Sequence, residues 1–312
     1  MITTTDGVRG PGAIMHEGYG SGRPRDIKCI VSGNAAGSRR ALRPLYALVA
    51  CAVLPGAGAP AFADTPDALV AALRVPETVE IMREEGLRYG ADLGAEMVPG
   101  VSSAGWQSVV SRIYDPDRMS QVIVAGLTQE LDGKELDAVT AFFTSELGEE
   151  VVKLELAART AFLDEEVEET ARAAFDEARD AQTWQYDAVI ELIEDSDLID
   201  FNVMGALNSN YAFYRGLSDG DALEMSEDDM LSDVWAQEDE IRTESAEWLG
   251  AYLLMAYQTL SEDELAQYAA LYRSEQGRVL NAAIFAAYDQ MYEEVSYLLG
   301  RAVADQMLSE EL

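Results

Sequence analysis

Residues Leu260–Arg301 read LSEDELAQYAALYRSEQGRVLNAAIFAAYDQMYEEVSYLLGR, and residues Leu131–Arg172 read LDGKELDAVTAFFTSELGEEVVKLELAARTAFLDEEVEETAR. At a fixed offset of 129 residues the two stretches share Leu131/Leu260, Glu135/Glu264, Leu136/Leu265, Ala141/Ala270, Ser145/Ser274, Glu146/Glu275, Gly148/Gly277, Ala157/Ala286, Ala158/Ala287, Glu165/Glu294 and Arg172/Arg301. Alanine-rich helices match one another by chance. The run Ser-Glu-x-Gly, preceded by Phe142-Phe143 in one stretch and Leu271-Tyr272 in the other, is harder to obtain that way. The two stretches read as copies of one helical unit.

Within the later copy, Ser261 can accept from the backbone N–H of Glu264 while the Glu264 side chain reaches back to the amide of Ser261, a helix-start signature. Leu265, Tyr268, Leu271 and Tyr272 then share one face, which Leu136, Val139, Phe142 and Phe143 occupy in the earlier copy. Gly277 and Gly148 come where that face ends, so a helix end or bend is expected there. Beyond it, Ile284, Tyr288, Met291, Val295, Leu298 and Ala302 recur at spacings of four and three, the pattern of a long packed helix. The earlier copy is expected to run likewise, as a long acidic helix to about Ala181.

The Glu-Leu pair, the aromatic pair and the Ser-x-x-Gly run, present twice, resemble the exported bacterial proteins grouped as domain of unknown function 2059. The resemblance covers two stretches of about 40 residues each. It implies an all-helical exported protein without an established activity, and it carries over no catalytic residue. The first copy departs from the pattern at Asp132-Gly133, where the capping serine is missing.

Ahead of the copies, Arg39, Arg40 and Arg43 precede the apolar run Leu45–Leu54, a Pro/Gly break and Ala61-Phe62-Ala63. A basic end, a short apolar core and a small-x-small site make a secretory signal, with cleavage after Ala63. The leader from Met1 is long for such a signal, so translation is expected to begin at Val31 or Met15. The alternative is a lipoprotein anchored at Cys51, from Leu48-Val49-Ala50-Cys51; Ser38-Arg39-Arg40 also touches the twin-arginine pattern. Three parts follow: 1–63 as leader and signal, recognisable from about 39, then 64–182 and 183–312 as first and second helical units.

Thr65-Pro66 opens the first unit, Pro76 starts its second helix, and Val98-Pro99-Gly100 breaks it. Trp106–Tyr114 reads as one short helix, and Asp115-Pro116 caps the next. The second unit opens near Thr183, has a polar hinge at Ser218–Asp229, and draws its bulkiest packing from Trp235, Ile241, Trp248, Leu253 and Leu254. No alternating β-branched run argues for a sheet. The expected fold is all-α: two tandem, duplicated helical units built from helix hairpins.

The whole chain carries 57 acids against 22 bases and a single histidine, net −35. His16, Cys29 and Cys51 all precede Ala63, so the mature chain would hold neither imidazole nor thiol, with 54 acids against 15 bases, net −39. That removes Ser-His-Asp and Cys-His nucleophiles, ordinary zinc sites and thiol redox. Lys134 and Lys153 lie in no Gly-rich phosphate loop. Nucleic acid and anionic membrane surfaces carry the wrong sign of charge to be partners; a cationic protein or peptide is the class that the charge favours.

Carboxylate chemistry survives this pruning. Glu146 and Glu275, at equivalent places beside the glycines, could serve a two-carboxyl hydrolase of cell-wall glycans, against the plainer reading of solvated helix-end glutamates. Arg172 and Arg301 could clamp an anionic ligand, against the plainer reading of structural ion pairs. Asp195-x-Asp197 and Asp219-Gly220-Asp221 do not continue as calcium loops and read as caps and turns. Tyr288, Tyr292 and Tyr297 could line a groove, although aromatic stripes at helical spacing are usually core. The sequence therefore points to an exported, non-catalytic binding protein of the envelope with no assigned catalytic, cofactor or metal residue. A carboxylate-based envelope hydrolase is the alternative.

Overall fold

The computed structural model describes residues 66–131 and 133–310. The secretory signal, Cys51, the cleavage site, Thr65 and Asp132 lie outside the described residues. The protein is all-α; among the described residues there is no strand, and no helix is long and apolar enough to cross a membrane.

The first half holds α1 (Pro66–Ala72), α2 (Val75–Met97), α3 (Ser103–Ile113), α4 (Pro116–Glu130), α5 (Gly133–Phe143), α6 (Glu146–Ala161) and α7 (Glu165–Ala181). The second holds α8 (Trp184–Asp195), α9 (Leu198–Asp219), α10 (Glu227–Trp235), α11 (Glu238–Tyr257), α12 (Glu262–Arg273) and α13 (Glu275–Glu310). The caps expected at Asp115 and at Ser261 with Glu264 are in place, and others join them. Ser102, Asp115, Thr183 and Ser226 each accept from an N–H of the following turn, and Ser261 with Glu264 closes a full capping box. Each such cap is worth about 1 kcal/mol.

Residue positions recur between the halves. At the offset of 129, α5 starts where α12 starts and α6 where α13 starts, while the end of α7 falls on the end of α13. The handover from α1 to α2 passes through Arg74 in the left-handed region (φ 50), and that from α8 to α9 through Asp197 (φ 50). For a residue with a Cβ that conformation costs ~1–2 kcal/mol, so it persists only where packing on both sides demands the turn.

The corners after α5 and α12 are built alike. Ser145 Oγ donates to the Phe142 carbonyl at 2.6 Å and accepts from Gly148 N at 3.2 Å; Ser274 Oγ donates to the Leu271 carbonyl at 2.6 Å and accepts from Gly277 N at 3.0 Å. The helix break is therefore at the serine, and the glycine has a different task from the one its position suggested. It is the third residue of the new helix, and a Cβ there would run into the preceding carbonyl, Phe142 O in one corner and Leu271 O in the other.

Helix α2 carries a second glycine device. Gly86, Gly90 and Gly94, one turn apart, receive the side chains of Tyr114, Val110 and Trp106 directly on the backbone, and the Trp106 indole donates to the Gly90 carbonyl at 2.5 Å. In the second half the close approach is between backbones: Gly300 of α13 lies against the Phe213 carbonyl and Gly216 of α9.

Three expectations fail. The first-half counterpart of α13 is not one long helix, because the chain breaks after Phe162 and restarts with Asp164 accepting from Glu166 N at 3.0 Å. The Phe162 ring meets Trp248 and Tyr252 edge-on at 5.5 and 5.7 Å, and α7 turns to lie along α11 with Phe175 against Gly250. Trp235 supplies no core packing: it is 51 % exposed at the end of α10, and Leu254 is only half-buried. The hinge Ser218–Asp229 is narrower than expected, since α9 runs through Asp219 and α10 starts at Glu227.

Candidate functional site

Of the residues singled out from sequence, Glu146 and Glu275 each take the first position of a helix, α6 and α13, with exposed side chains. There a carboxylate favours the positive end of the helix dipole. Neither is enclosed, so no sheltered pair of carboxyls forms from them. Arg172 donates to Glu168 on its own helix and to Glu244 and Glu247 on α11, tying α7 to α11. Arg301 donates to the carbonyl of Asp219 at the end of α9, and Asp305 lies 3.8 Å away. The two arginines sit at equivalent positions but hold different neighbours, and they do not converge. Asp195 is bound by Arg273, and Asp219 accepts from Tyr297 at 3.0 Å. Tyr288 and Tyr292 are core residues.

The most unusual chemistry lies at a residue that sequence reading passed over. Glu155 on α6 is 0 % exposed. Its Oε1 accepts from the hydroxyls of Tyr257 on α11 and Tyr268 on α12, the latter at 2.9 Å, while Oε2 meets no hydrogen-bond partner. Tyr252 donates to the Glu155 backbone carbonyl at 2.9 Å, and Tyr272 sits 3.0 Å from Tyr268, hydroxyl to hydroxyl. Burial pushes the Glu155 carboxyl up to about 8, against the smaller downward pull of the two tyrosine donors. The group is thus neutral through most of the physiological range, and the four tyrosines are held well above their ordinary range, chiefly by burial.

One turn on, Arg159 is equally buried but charged. Its Nε and Nη2 reach both oxygens of Glu85 on α2 at 3.0 and 2.8 Å. A forked pair of this kind satisfies a buried guanidinium where a single contact would not.

At the offset of 129, Glu155 corresponds to Ile284, and Tyr252, Tyr268 and Tyr272 correspond to Ile123, Val139 and Phe143, all buried. Tyr257 corresponds to Thr128, which is exposed, so the other half fills the positions of Glu155 and three of the tyrosines with apolar side chains and leaves that of the fourth at the surface. The polar cluster around Glu155 thus has no counterpart at this offset. It is sealed, however, and no substrate can reach it in this conformation.

What is open lies on the far side of α11. A groove of 540 Å³ runs between the start of α7 and the end of α11. Val167, Ala171, Ala174, Leu254 and Met255 make its floor, with Thr170 and Gln258 beside them and Asp164 and Glu166 at its rim. Both rim acids are exposed, and Glu165 and Glu169 stand exposed beside them. A smaller hollow of 240 Å³ lies at the base of α2 and α3 beside Trp106. Sequence gave no signal for either, because small residues on an acidic helix look like solvated surface until a neighbouring helix walls them in.

Comparison with known proteins adds one finding. Residues 117–177 match the family described as Uncharacterized protein conserved in bacteria (DUF2059). That match runs from the first turn of α4 to the last turns of α7, so it includes the Ser145 corner, Glu155 and the α7 wall of the groove, while the stretch Leu260–Arg301 lies outside it. No curated protein and no solved structure matches the chain.

Proposed function

We propose that this chain is an exported binding protein of the bacterial envelope, acting without catalysis, with the groove between α7 and α11 as its working surface. The supporting observation is that groove: an apolar floor open to solvent, under an acidic rim, on a chain of net charge −35. Exposed apolar clefts with a few polar groups at the edge are the usual form of a binding site. The two candidate carboxyls, Glu146 and Glu275, stand exposed at separate helix starts, a poor arrangement for a hydrolase that must raise the pKa of one of them. The basic and apolar run Arg39–Leu54, followed by Ala61-Phe62-Ala63, supports export, and the recurrence of the Ser145 and Ser274 corner and of three helix bounds at the offset of 129 supports two sister units.

The test places a photo-crosslinking amino acid at Met255 and, as control, at Trp235, in cells expressing the chain with a C-terminal tag. The expected result is a protein in the periplasmic fraction with its N-terminus at Asp64, and adducts from position 255 that are absent from 235. Recovery of the uncleaved chain from the cytosol would overturn export. Hydrolysis of cell-wall glycans that disappears with Glu275→Gln would overturn the non-catalytic reading.

A further inference from the structure

The two halves differ most usefully where the groove lies. Its α7 residues Val167, Thr170, Ala171 and Ala174 correspond, at the offset of 129, to Ser296, Leu299, Gly300 and Val303 of α13. In the second half that face is covered: Leu299 and Val303 are buried, and Gly300 lies directly against the backbone of α9. In the first half Thr170 and Ala174 are exposed, Val167 is only half-buried, and Ala171 alone of the four is buried. On the opposite wall, Met255 corresponds to Gly126 of α4, the point at which α4 comes into contact with Ala287 of α13. A glycine stands at that position where α4 packs closely on α13, and a methionine where α11 borders the groove. Methionine is the side chain that adapts most readily to a surface it must both expose and bury.

We infer that the groove takes a cationic amphipathic helix from a partner protein, laid along α7 where α9 lies along α13. This rests on the binding-protein reading above and specifies its ligand. The wall from Asp164 to Ala174 is about 15 Å long at the helical rise, which fits roughly three turns of a docked helix. An amphipathic helix set into such a groove presents apolar anchors at i, i+3/i+4 and i+7. Charge selects among the candidates. Asp164, Glu165, Glu166 and Glu169 at the rim favour lysine or arginine flanking the anchors, and they repel a second copy of this acidic chain. Small floor residues, two alanines and a threonine, leave room for the leucine-sized anchors that Leu299 and Val303 supply from within the chain in the other half.

The experiment uses the full chain and three labelled synthetic 14-residue peptides read by fluorescence anisotropy: a leucine/lysine sequence with helical periodicity, the same composition scrambled, and a leucine/glutamate counterpart. The periodic cationic peptide is expected to bind with 1:1 saturation, at least tenfold tighter than the scrambled one, with helical circular dichroism gained on binding. The leucine/glutamate peptide should not bind. Ala174→Trp, at an exposed position that leaves the fold intact by circular dichroism, should weaken binding at least tenfold; Glu166→Lys should weaken it and flatten its salt dependence. Equal binding of the scrambled peptide, or indifference to Ala174→Trp, overturns the inference. So does crosslinking from position 255 to a second copy or to residues 39–54 of the same chain. Envelope adducts that map to a different face would leave the binding-protein reading standing and this inference refuted.

Discussion

The hydroxyl of Tyr268 on α12 donates to Oε1 of Glu155 on α6 at 2.9 Å, joining residues 113 positions apart across a contact sealed from water. A carboxyl in that setting resists ionisation, because taking a charge out of water is costly and two hydroxyl donors repay only part of it. The pair ties α6 to α12, and burial holds its carboxyl above the usual carboxylate range.

Stability should respond to pH through this group. Its ordinary value is 4.5 and its folded value about 8, so the folded state holds the proton longer than the unfolded chain. The contribution is complete below about pH 4.5 and is lost as pH rises through about 8. Around Glu155 stand Tyr252, Tyr257, Tyr268 and Tyr272, with Arg159 one turn on, neutralised by Glu85. Glu155→Gln should remove this slope. Urea unfolding of both proteins at pH 5 and pH 9 should show the wild type losing on the order of a few kcal/mol more than the variant. Parallel losses would contradict a buried neutral carboxyl. Asp289, with its carboxyl pushed up to about 7 by burial and then by Glu293, is unaltered in both and cancels.

The forked pair of Arg159 and Glu85 offers an independent test. Glu85→Gln leaves a guanidinium that is almost wholly buried without its counter-charge, which should cost about 3–5 kcal/mol. Arg88→Gln, which breaks the exposed pair with Glu84 and a contact to the Leu163 carbonyl within one turn of Glu85, should cost about 1 kcal/mol. Chemical denaturation at pH 7 separates the two, and similar losses would show that the buried pair is not satisfied as described.

At the corners, Gly277→Ala and Gly148→Ala should each destabilise by about 1–3 kcal/mol, since the new Cβ must displace the carbonyl of Leu271 or Phe142. Gly105→Ala, where the Cβ would press only on the Ser102 hydroxyl that caps α3, is the milder comparison and should cost less than about 1 kcal/mol. Thermal unfolding that ranks Gly105→Ala with the other two would refute the close approach.

Arg172→Ala should lower stability by about 1–3 kcal/mol, because of the three carboxylates it bridges Glu247 is exposed, Glu244 half-buried and Glu168 buried. It should also loosen α7 from α11. Hydrogen exchange is expected to rise in residues 165–181 and stay unchanged in α13. A loss of anion binding with no change in exchange would instead restore the ligand-clamp reading of this arginine.

Local signals were legible in the sequence and tertiary ones were not. Ser261 with Glu264 and Asp115 before Pro116 act within one turn, so their caps could be read directly. The break at Phe162–Asp164 has no glycine or proline to announce it; it depends on Trp248 and Tyr252, about 90 residues away, which hold the Phe162 ring. Glu155 was lost among 57 acids. Its signal was register, because it shares the inward face of α6 with Val151, Val152 and Leu156, and a carboxyl on that face is worth questioning. Trp235 erred the other way, a large ring read as core that stands at a helix end facing solvent. The groove was invisible because it belongs to two helices that only folding brings side by side.

Helix α13 touches α2, α3, α4 and α5 as well as α9 and α12. Helix α13 is thus shared by both halves, and α2, α3, α4 and α5 cannot complete their packing until it is in place. Because a chain is made from its N-terminus, those four helices stay partly uncovered until a distant segment has been synthesised.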